Sequence, residues 1–147
     1  MPDTDEFMRA AIEQARKSLT ERGIPIGSAL VLENQLIAVG HNKRVQENDP
    51  VTHAEIDCIR QAGRIGGGFQ RAVLYSTLMP CYLCAGAVVQ FGIRKVVVGE
   101  SRTFAGAADF MRSHGVKVID LDLSECVEMM RSFIAENPAL WNEDIGR

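Results

Sequence analysis

A histidine, an acidic residue and two cysteines form two short motifs whose residue types and spacing could carry out chemistry. The sequence T-H-A-E contains His53 and Glu55, and the sequence P-C-Y-L-C contains Cys81 and Cys84. Imidazole and thiolate groups are preferred ligands of Zn²⁺, and three protein ligands leave the fourth tetrahedral position open to water, as in catalytic zinc sites. The motifs therefore predict a zinc ion held by the histidine and both cysteines, with Glu55 transferring protons for the activated water.

Each half of this ligand set lies at the start of a predicted helix. The hydrophobic pattern predicts helices over residues 52–64 and 81–91. The C-x-x-C spacing places both thiols on one side of a helical turn, and Pro80 suits the first turn of the second helix. Because helix N-termini carry partial positive charge, they favour the thiolate and carboxylate forms that zinc binding and base catalysis require.

The zinc hypothesis competes with simpler interpretations of each motif. Thr52 and Glu55 have the spacing of a capping box, in which Glu55 would only bind a backbone N–H group. The C-x-x-C sequence could be a redox pair, and His53 could be a core histidine. The position of both halves at helix starts favours the catalytic zinc site, and Glu55 could cap its helix and still face the metal. The other two thiols, Cys58 and Cys126, are expected to fill the core because apolar residues surround them.

Hydrophobic periodicity predicts a regular alternation of helices and strands along the chain. Helices are predicted over residues 5–21, 52–64, 81–91, 107–113 and 124–136, with Ser124 as a helix cap, and strands over 28–32, 35–39, 72–77, 95–99 and 116–121. The first two strands should form a hairpin, whereas intervening helices should make the last three parallel. We therefore predict one domain over residues 1–147, an α/β fold in which a five-stranded mixed sheet forms a three-layer α/β/α sandwich.

Composition limits the classes of partner and compartment. The 147 residues carry a net charge of −3 and no cluster of Lys or Arg, so small-molecule chemistry is favoured over nucleic-acid binding. The apolar runs are too short to span a membrane, and the acidic N-terminus lacks the apolar segment of a signal peptide. Four cysteines without an export signal indicate a reducing compartment, and the cytoplasm is expected.

Several motifs together resemble the cytidine deaminase superfamily, and most closely the fungal-type cytosine deaminases. The pattern H-x-E followed by P-C-x-x-C is a known signature of the zinc deaminases. The likeness extends over nearly the whole chain, through G-I-P-I-G at residues 23–27, G-H-N-K-R at 40–44 and W-N-E-D-I-G at 141–146. The last of these motifs is the narrowest, and it favours cytosine as the substrate.

The resemblance implies that residues outside the zinc motif bind the substrate. Asn42 would hydrogen-bond the pyrimidine, Asp144 would meet the exocyclic amine, and the backbone N–H of Ala54 would meet the base carbonyl. Without the resemblance, Asn42 could be a turn residue that tolerates a left-handed conformation. Asp144, which lies in an acidic tail, could be a solvated surface charge.

The resemblance also implies aromatic walls and a cover for the pocket. Phe104 and Trp141 match aromatic pocket walls, although by themselves they could be core residues. Residues 138–147 are interpreted as a tail that covers the site. Met79 stands where the fungal enzymes carry a serine. If that position acts through its backbone carbonyl, methionine keeps the role, whereas a requirement for the hydroxyl would change the preferred base.

These inferences predict hydrolytic deamination of a free nucleobase, with cytosine converted to uracil and ammonia. Guanine, isocytosine or another aminated heterocycle would suit the same zinc core. A nucleoside or tRNA adenosine deaminase is disfavoured by the acidic charge balance. A non-catalytic zinc-stabilised domain would need a fourth protein ligand, and no spare Cys or His has ligand spacing. The resemblance further implies a homodimer.

Overall fold

The structure is a computed structural model that describes residues 6–147. The helices are α1 (Glu6–Thr20), α2 (Ala54–Ala62), α3 (Tyr82–Phe91), α4 (Ala108–Ser113), α5 (Ser124–Glu136) and α6 (Pro138–Asp144), and the strands are β1 (Gly27–Leu32), β2 (Gln35–His41), β3 (Ala72–Ser76), β4 (Lys95–Val98) and β5 (Lys117–Asp120). All the predicted helices and strands are present, with small differences at their ends. The start predicted for the first helix, Asp5, lies outside the described residues.

The five strands form one mixed sheet in the order β2-β1-β3-β4-β5. Strand β1 is antiparallel to β2 and β3, whereas β3, β4 and β5 are parallel. The two-residue turn between β1 and β2 consists of Glu33 and Asn34, and both have positive φ, as tight hairpin turns require. A helix separates each later pair of strands, which allows the chain to return and run parallel. The predicted mixed sheet is therefore confirmed.

Successive strand residues face opposite sides of the sheet and bury two separate apolar layers. Leu30, Leu74 and Val96 pack with residues of α2, α3 and α4. Their neighbours in sequence, among them Ala29 and Tyr75, pack with α1 and α5 on the other side. This arrangement is the predicted α/β/α sandwich.

The two cysteines outside the zinc motif lie in these layers. Cys58 and Cys126 are both buried, and burial raises the pKa of each thiol to about 12. The expectation that they fill the core is confirmed.

A third apolar cluster lies beyond the N-terminal end of β1 and the C-terminal end of β3, and it includes residues of helix α6. Ile26, Ala54, Leu78 and Trp141 belong to it. The sequence analysis interpreted residues 138–147 as a tail, whereas residues 138–144 form a helix with Pro138 in its first turn. Proline there has a backbone preset for a helix, and the burial of Trp141 holds the helix in place. Among the described residues, no helix is both long and apolar enough to cross a membrane.

Candidate metal centre and adjoining pocket

The residues that precede α2 and α3 bring the two motifs together. His53 is the N-cap residue of α2 and Cys81 is the N-cap residue of α3, both with extended backbones and without a side-chain capping bond. The alternative interpretation of Thr52 and Glu55 as a capping box therefore does not hold, because Thr52 is not the N-cap residue and its hydroxyl donates to Asp49 Oδ2 at 2.7 Å. Pro80 likewise precedes the N-cap residue and is not in the first turn.

Similar small differences occur at the start of α5. The predicted cap, Ser124, is the first helical residue, and Leu123 occupies the N-cap position without a side-chain bond. At α2 and α3 the absence of capping bonds has a functional consequence, since it leaves the imidazole and thiol free to bind a metal.

The ligand atoms of His53, Cys81 and Cys84 all lie within 4.8 Å of one another. His53 Nδ1 is 3.5 Å from Cys81 Sγ. A nitrogen and a sulfur at about 2.1 and 2.3 Å from one tetrahedral ion are about 3.6 Å apart, so this spacing fits zinc. No other cluster of three candidate ligands occurs in residues 6–147, and no fourth such ligand joins this one.

A hydrogen bond between the two thiols of the cluster shifts their pKa values in opposite directions. The hydrogen bond from Cys84, followed by that from His53, lowers the pKa of Cys81 to about 4. The same contact with Cys81, together with burial, raises the pKa of Cys84. A thiolate is therefore available for the metal at neutral pH, and a bound divalent cation would also displace the proton from the second thiol.

Glu55 is buried beside the metal cluster in the first turn of α2. Its Oε2 atom lies 3.2 Å from Ser76 Oγ, on strand β3. Burial, reinforced by the negative charge of Cys81, raises the pKa of Glu55 to about 7. A carboxyl group with such a pKa can both accept and release a proton near neutral pH.

A cavity of about 20 Å³ adjoins the metal cluster and Glu55, and a cavity of this size holds about one water molecule. Trp141, Asp144 and Ile145 line it from α6 and its end. Phe104 also lines it and contacts Trp141 edge to face, with ring centroids 5.7 Å apart. Helix α6 therefore covers one side of the cavity in this conformation.

Met79 lines this cavity and also a neighbouring cleft of about 320 Å³. Its side chain packs in the layer that contains α3 and α4, against Gly106. A Cβ atom on Gly106 would lie 2.6 Å from Met79 Cγ, and the positive φ of Gly106 also favours glycine. Met79 thus forms part of the boundary between the cavity and the cleft.

Asn42 and Ala54 are both fully buried but do not line the cavity. Asn42 Oδ1 accepts the Arg44 N–H at 3.0 Å, and its main-chain N–H donates to the Ile26 carbonyl. These bonds orient the amide and leave Nδ2 without a hydrogen-bond partner. Asn42 is not among the residues with positive φ, so the left-handed turn interpretation does not hold.

Asp144 is not a solvated surface charge, because only 3% of its side chain is exposed. Its Oδ1 atom lies 3.3 Å from His53 Nε2 and 3.4 Å from Arg44 Nη1. Burial raises the pKa of this carboxyl group. Nδ1 of His53 is directed at Cys81 and Nε2 faces Asp144, but no hydrogen bond forms between Nε2 and Oδ1.

Sequence reasoning assigned no role to Arg44 or Ser76. Arg44 is nearly buried and contacts α6, and Ser76 contacts Glu55. Arg44 stands inside the G-H-N-K-R motif, so that motif was a signal for it. Ser76 has no such signal, since only the folded sheet brings β3 against the start of α2.

Comparisons with known proteins agree with this geometry. A family model described as the cytidine and deoxycytidylate deaminase zinc-binding region matches residues 1–100. Cytosine deaminase from Candida albicans is 38% identical over 146 residues, which are 98% of this chain and 97% of that protein.

Two solved structures also match. One, from a study of A-to-I editing by tRNA:A34 deaminases, is 32% identical with a TM-score of 0.69, over 78% of this chain and 95% of that one. The other, guanine deaminase from Bacillus subtilis, is 30% identical with a TM-score of 0.62, over 75% and 73%. The three proteins act on different substrates, so the likeness alone does not select among them.

Proposed function

The chain belongs to the cytidine and deoxycytidylate deaminase family, and on that premise we propose that it converts free cytosine to uracil and ammonia. The observation that carries the proposal is the closure of the cavity by Trp141, Asp144 and Ile145 of the C-terminal segment. A cover of this kind, closed again over a bound ligand, suits a single base, whereas a nucleoside or a tRNA needs an open path for the ribose and phosphates. The likeness to Candida cytosine deaminase over 98% of the chain also supports cytosine.

The proposed reaction adds water to the carbon that carries the amine and then releases ammonia. Zinc held by His53, Cys81 and Cys84 would supply Lewis acidity that makes the water nucleophilic at neutral pH. Glu55 would take a proton from that water and deliver it to the ring nitrogen beside the amine-bearing carbon. It would then transfer the second proton of the water to the departing amine.

Three groups would orient the base by hydrogen bonds. The free Nδ2 of Asn42 is a donor and therefore needs an acceptor atom on the ligand. The backbone N–H of Ala54 is the first of α2 and, like other first-turn groups, has no partner within the helix. Asp144 Oδ1 lacks a hydrogen-bond partner and would accept the exocyclic amine. Cytosine supplies both an acceptor carbonyl and an amine donor.

Phe104 and Trp141 would contact the faces and edge of the bound ring, and Met79 would limit its size on one side. A closed cavity of about 20 Å³ has no room for a base. Helix α6 must therefore move for the base to bind, and we propose that it is the cover of the site.

The exposed face of α3 supports a homodimer. This helix is apolar on all sides, but only Cys84, Ala85 and Val88 are buried. Tyr82 is 78% exposed, and Leu83 on the same helix is also exposed. Since a helix that is apolar all round is normally buried, we propose that a second copy of the chain covers this face.

The substrate is tested by measuring ammonia release from cytosine, cytidine, deoxycytidine monophosphate, guanine, adenine, isocytosine and an adenosine-containing tRNA. Cytosine should be the preferred substrate, and zinc content should be measured in the same preparations. The Glu55→Gln protein provides the background rate. Activity confined to nucleosides, nucleotides or tRNA would refute the free-base proposal, and activity on guanine alone would refute cytosine.

A further inference from the structure

We propose that Arg44 is a positioning residue that holds helix α6 closed over the cavity and aligns Asp144 with the substrate amine. The role in alignment rests on the proposed function. The role in closure concerns only the conformation of α6, so it can be tested without any turnover.

The Arg44 guanidinium is held between the segment after β2 and helix α6. Only 9% of its side chain is exposed. Nε donates to the Pro50 carbonyl at 3.1 Å, which attaches the group to its own segment. The opposite side of the guanidinium faces α6, with Nη1 3.4 Å from Asp144 Oδ1 and Nη2 3.7 Å from Glu143 Oε1. Arg44 therefore joins the cover to the body of the protein.

The two contacts with α6 differ in strength. Glu143 is 67% exposed, so solvent screens its attraction to Arg44. Asp144 is buried, and its charge in a low-dielectric region needs a positive partner. The contact between Arg44 and Asp144 is thus the one expected to hold the helix.

Other connections of α6 are few. Among the ion pairs of residues 6–147, only those from Arg44 and His53 reach this helix. Its seven residues are too few to form a stable helix alone. The remaining attachment is apolar, chiefly Trp141 against Phe104 and the third cluster. Loss of the guanidinium should therefore shift α6 toward an open conformation.

Some buried polar atoms lack hydrogen-bond partners when α6 covers the cavity. Arg44 Nη1 and Asp144 Oδ1 are both buried without a hydrogen-bond partner, although they are only 3.4 Å apart. An unsatisfied buried donor and acceptor raise the free energy of the closed state. Attraction between the charges holds α6 in place, while the unsatisfied Oδ1 remains ready to accept the amine of an arriving base.

The effect on binding follows from the population of the closed state. If the base binds tightly only under a closed cover, its apparent affinity falls in proportion to the closed fraction. Replacement of Arg44 should therefore raise KM more than it lowers kcat. A residue needed only for folding would not produce this split.

Trp141 is the only tryptophan of the chain, so its fluorescence reports on α6. We would compare Arg44→Gln with Arg71→Gln, a matched change at an exposed arginine that pairs with Glu33 far from α6. Arg44→Gln should make Trp141 at least about twofold more quenchable by acrylamide and raise KM about tenfold or more. Zinc content should not change, and Arg71→Gln should behave like the wild type.

Wild-type quenching and KM in a folded Arg44→Gln protein would overturn the proposal, as would lost activity with Trp141 still protected. If circular dichroism shows that Arg44→Gln is unfolded, Arg44→Lys decides the question. Lysine keeps the positive charge but lacks the planar guanidinium group that contacts two acidic residues at once. Acrylamide should therefore quench Trp141 more strongly in Arg44→Lys than in the wild type. Equal quenching in the two proteins would overturn the proposal. If cytosine proved not to be the substrate, the quenching result for Arg44 would still stand. The proposal for the substrate and the proposal for Arg44 can therefore be refuted independently.

Discussion

The metal half and the pocket half of the site are built in different ways. The metal half consists of His53, Glu55, Cys81 and Cys84, and the pocket half consists of the residues proposed to contact the base, which are Asn42, Phe104, Trp141 and Asp144. In the metal half, every residue lies at or next to the start of a helix. In the pocket half, the residues come from the segment after β2, from the segment after β4 and from α6.

The two halves also differ in how completely their polar atoms are satisfied. Of the four buried side-chain atoms without a hydrogen-bond partner in the described part of the chain, two belong to Asn42 and Asp144 of the pocket half, a third belongs to Arg44 beside Asp144, and none belongs to the metal half. In contrast, Glu55 contacts Ser76, and His53 contacts Cys81. The metal half is thus preorganised, whereas the pocket half leaves donors and acceptors for a ligand. This contrast suggests a rigid centre for the chemistry and a movable region for binding.

The largest expected effect is a loss of turnover on replacement of Glu55, with the pocket half unchanged. Glu55→Gln keeps the size of the side chain but removes the proton carrier, so kcat should fall by about a thousandfold or more. Zinc content and the acrylamide quenching of Trp141 should stay at wild-type values. Retained turnover would exclude Glu55 as the proton carrier, and exposure of Trp141 would show that the halves are not independent.

An intermediate effect is expected from the aromatic wall. Trp141→Leu removes the edge-to-face contact with Phe104 and part of the cover, which should raise KM about tenfold with kcat changed less. Trp141→Phe is the matched control, since it keeps an aromatic ring and should have a smaller effect. A loss of kcat with unchanged KM would place Trp141 in the chemical step instead.

The smallest effect on activity is expected on the face of α3 that points away from the metal. Leu83 precedes the buried ligand Cys84 but is itself exposed. Leu83→Glu should convert a dimer into a monomer in sedimentation experiments, because a charge in a buried apolar interface is costly. Zinc content should remain the same. A wild-type protein that is monomeric at micromolar concentration would contradict the homodimer.

Sequence reasoning was most accurate where local spacing decides the structure. Glu33 and Asn34 form the turn of the predicted hairpin. Helices α2 and α3 end at the C-cap residues Gly63 and Gly92, within two residues of their predicted ends. It was less informative about side-chain capping, because the alternative of a capping box at Thr52 could not be excluded until the fold showed that its hydroxyl donates to Asp49. It also missed α6, a short helix whose stability depends on contacts with distant residues.

By itself, the sequence determined the ligand set and the chemistry. His53, Cys81 and Cys84 are soft donors at a spacing that two helix starts can bring together, and Glu55 stands next to them whatever the substrate is. Only the tertiary structure decided which groups enclose the cavity and how they are charged. Burial beside the Cys81 thiolate raises the pKa of Glu55 to about 7. The fold also places Arg44 against Asp144, which lies 100 positions later in the sequence. Solvent exclusion and long-range contacts of this kind depend on the packed chain, and no local pattern of residues specifies them.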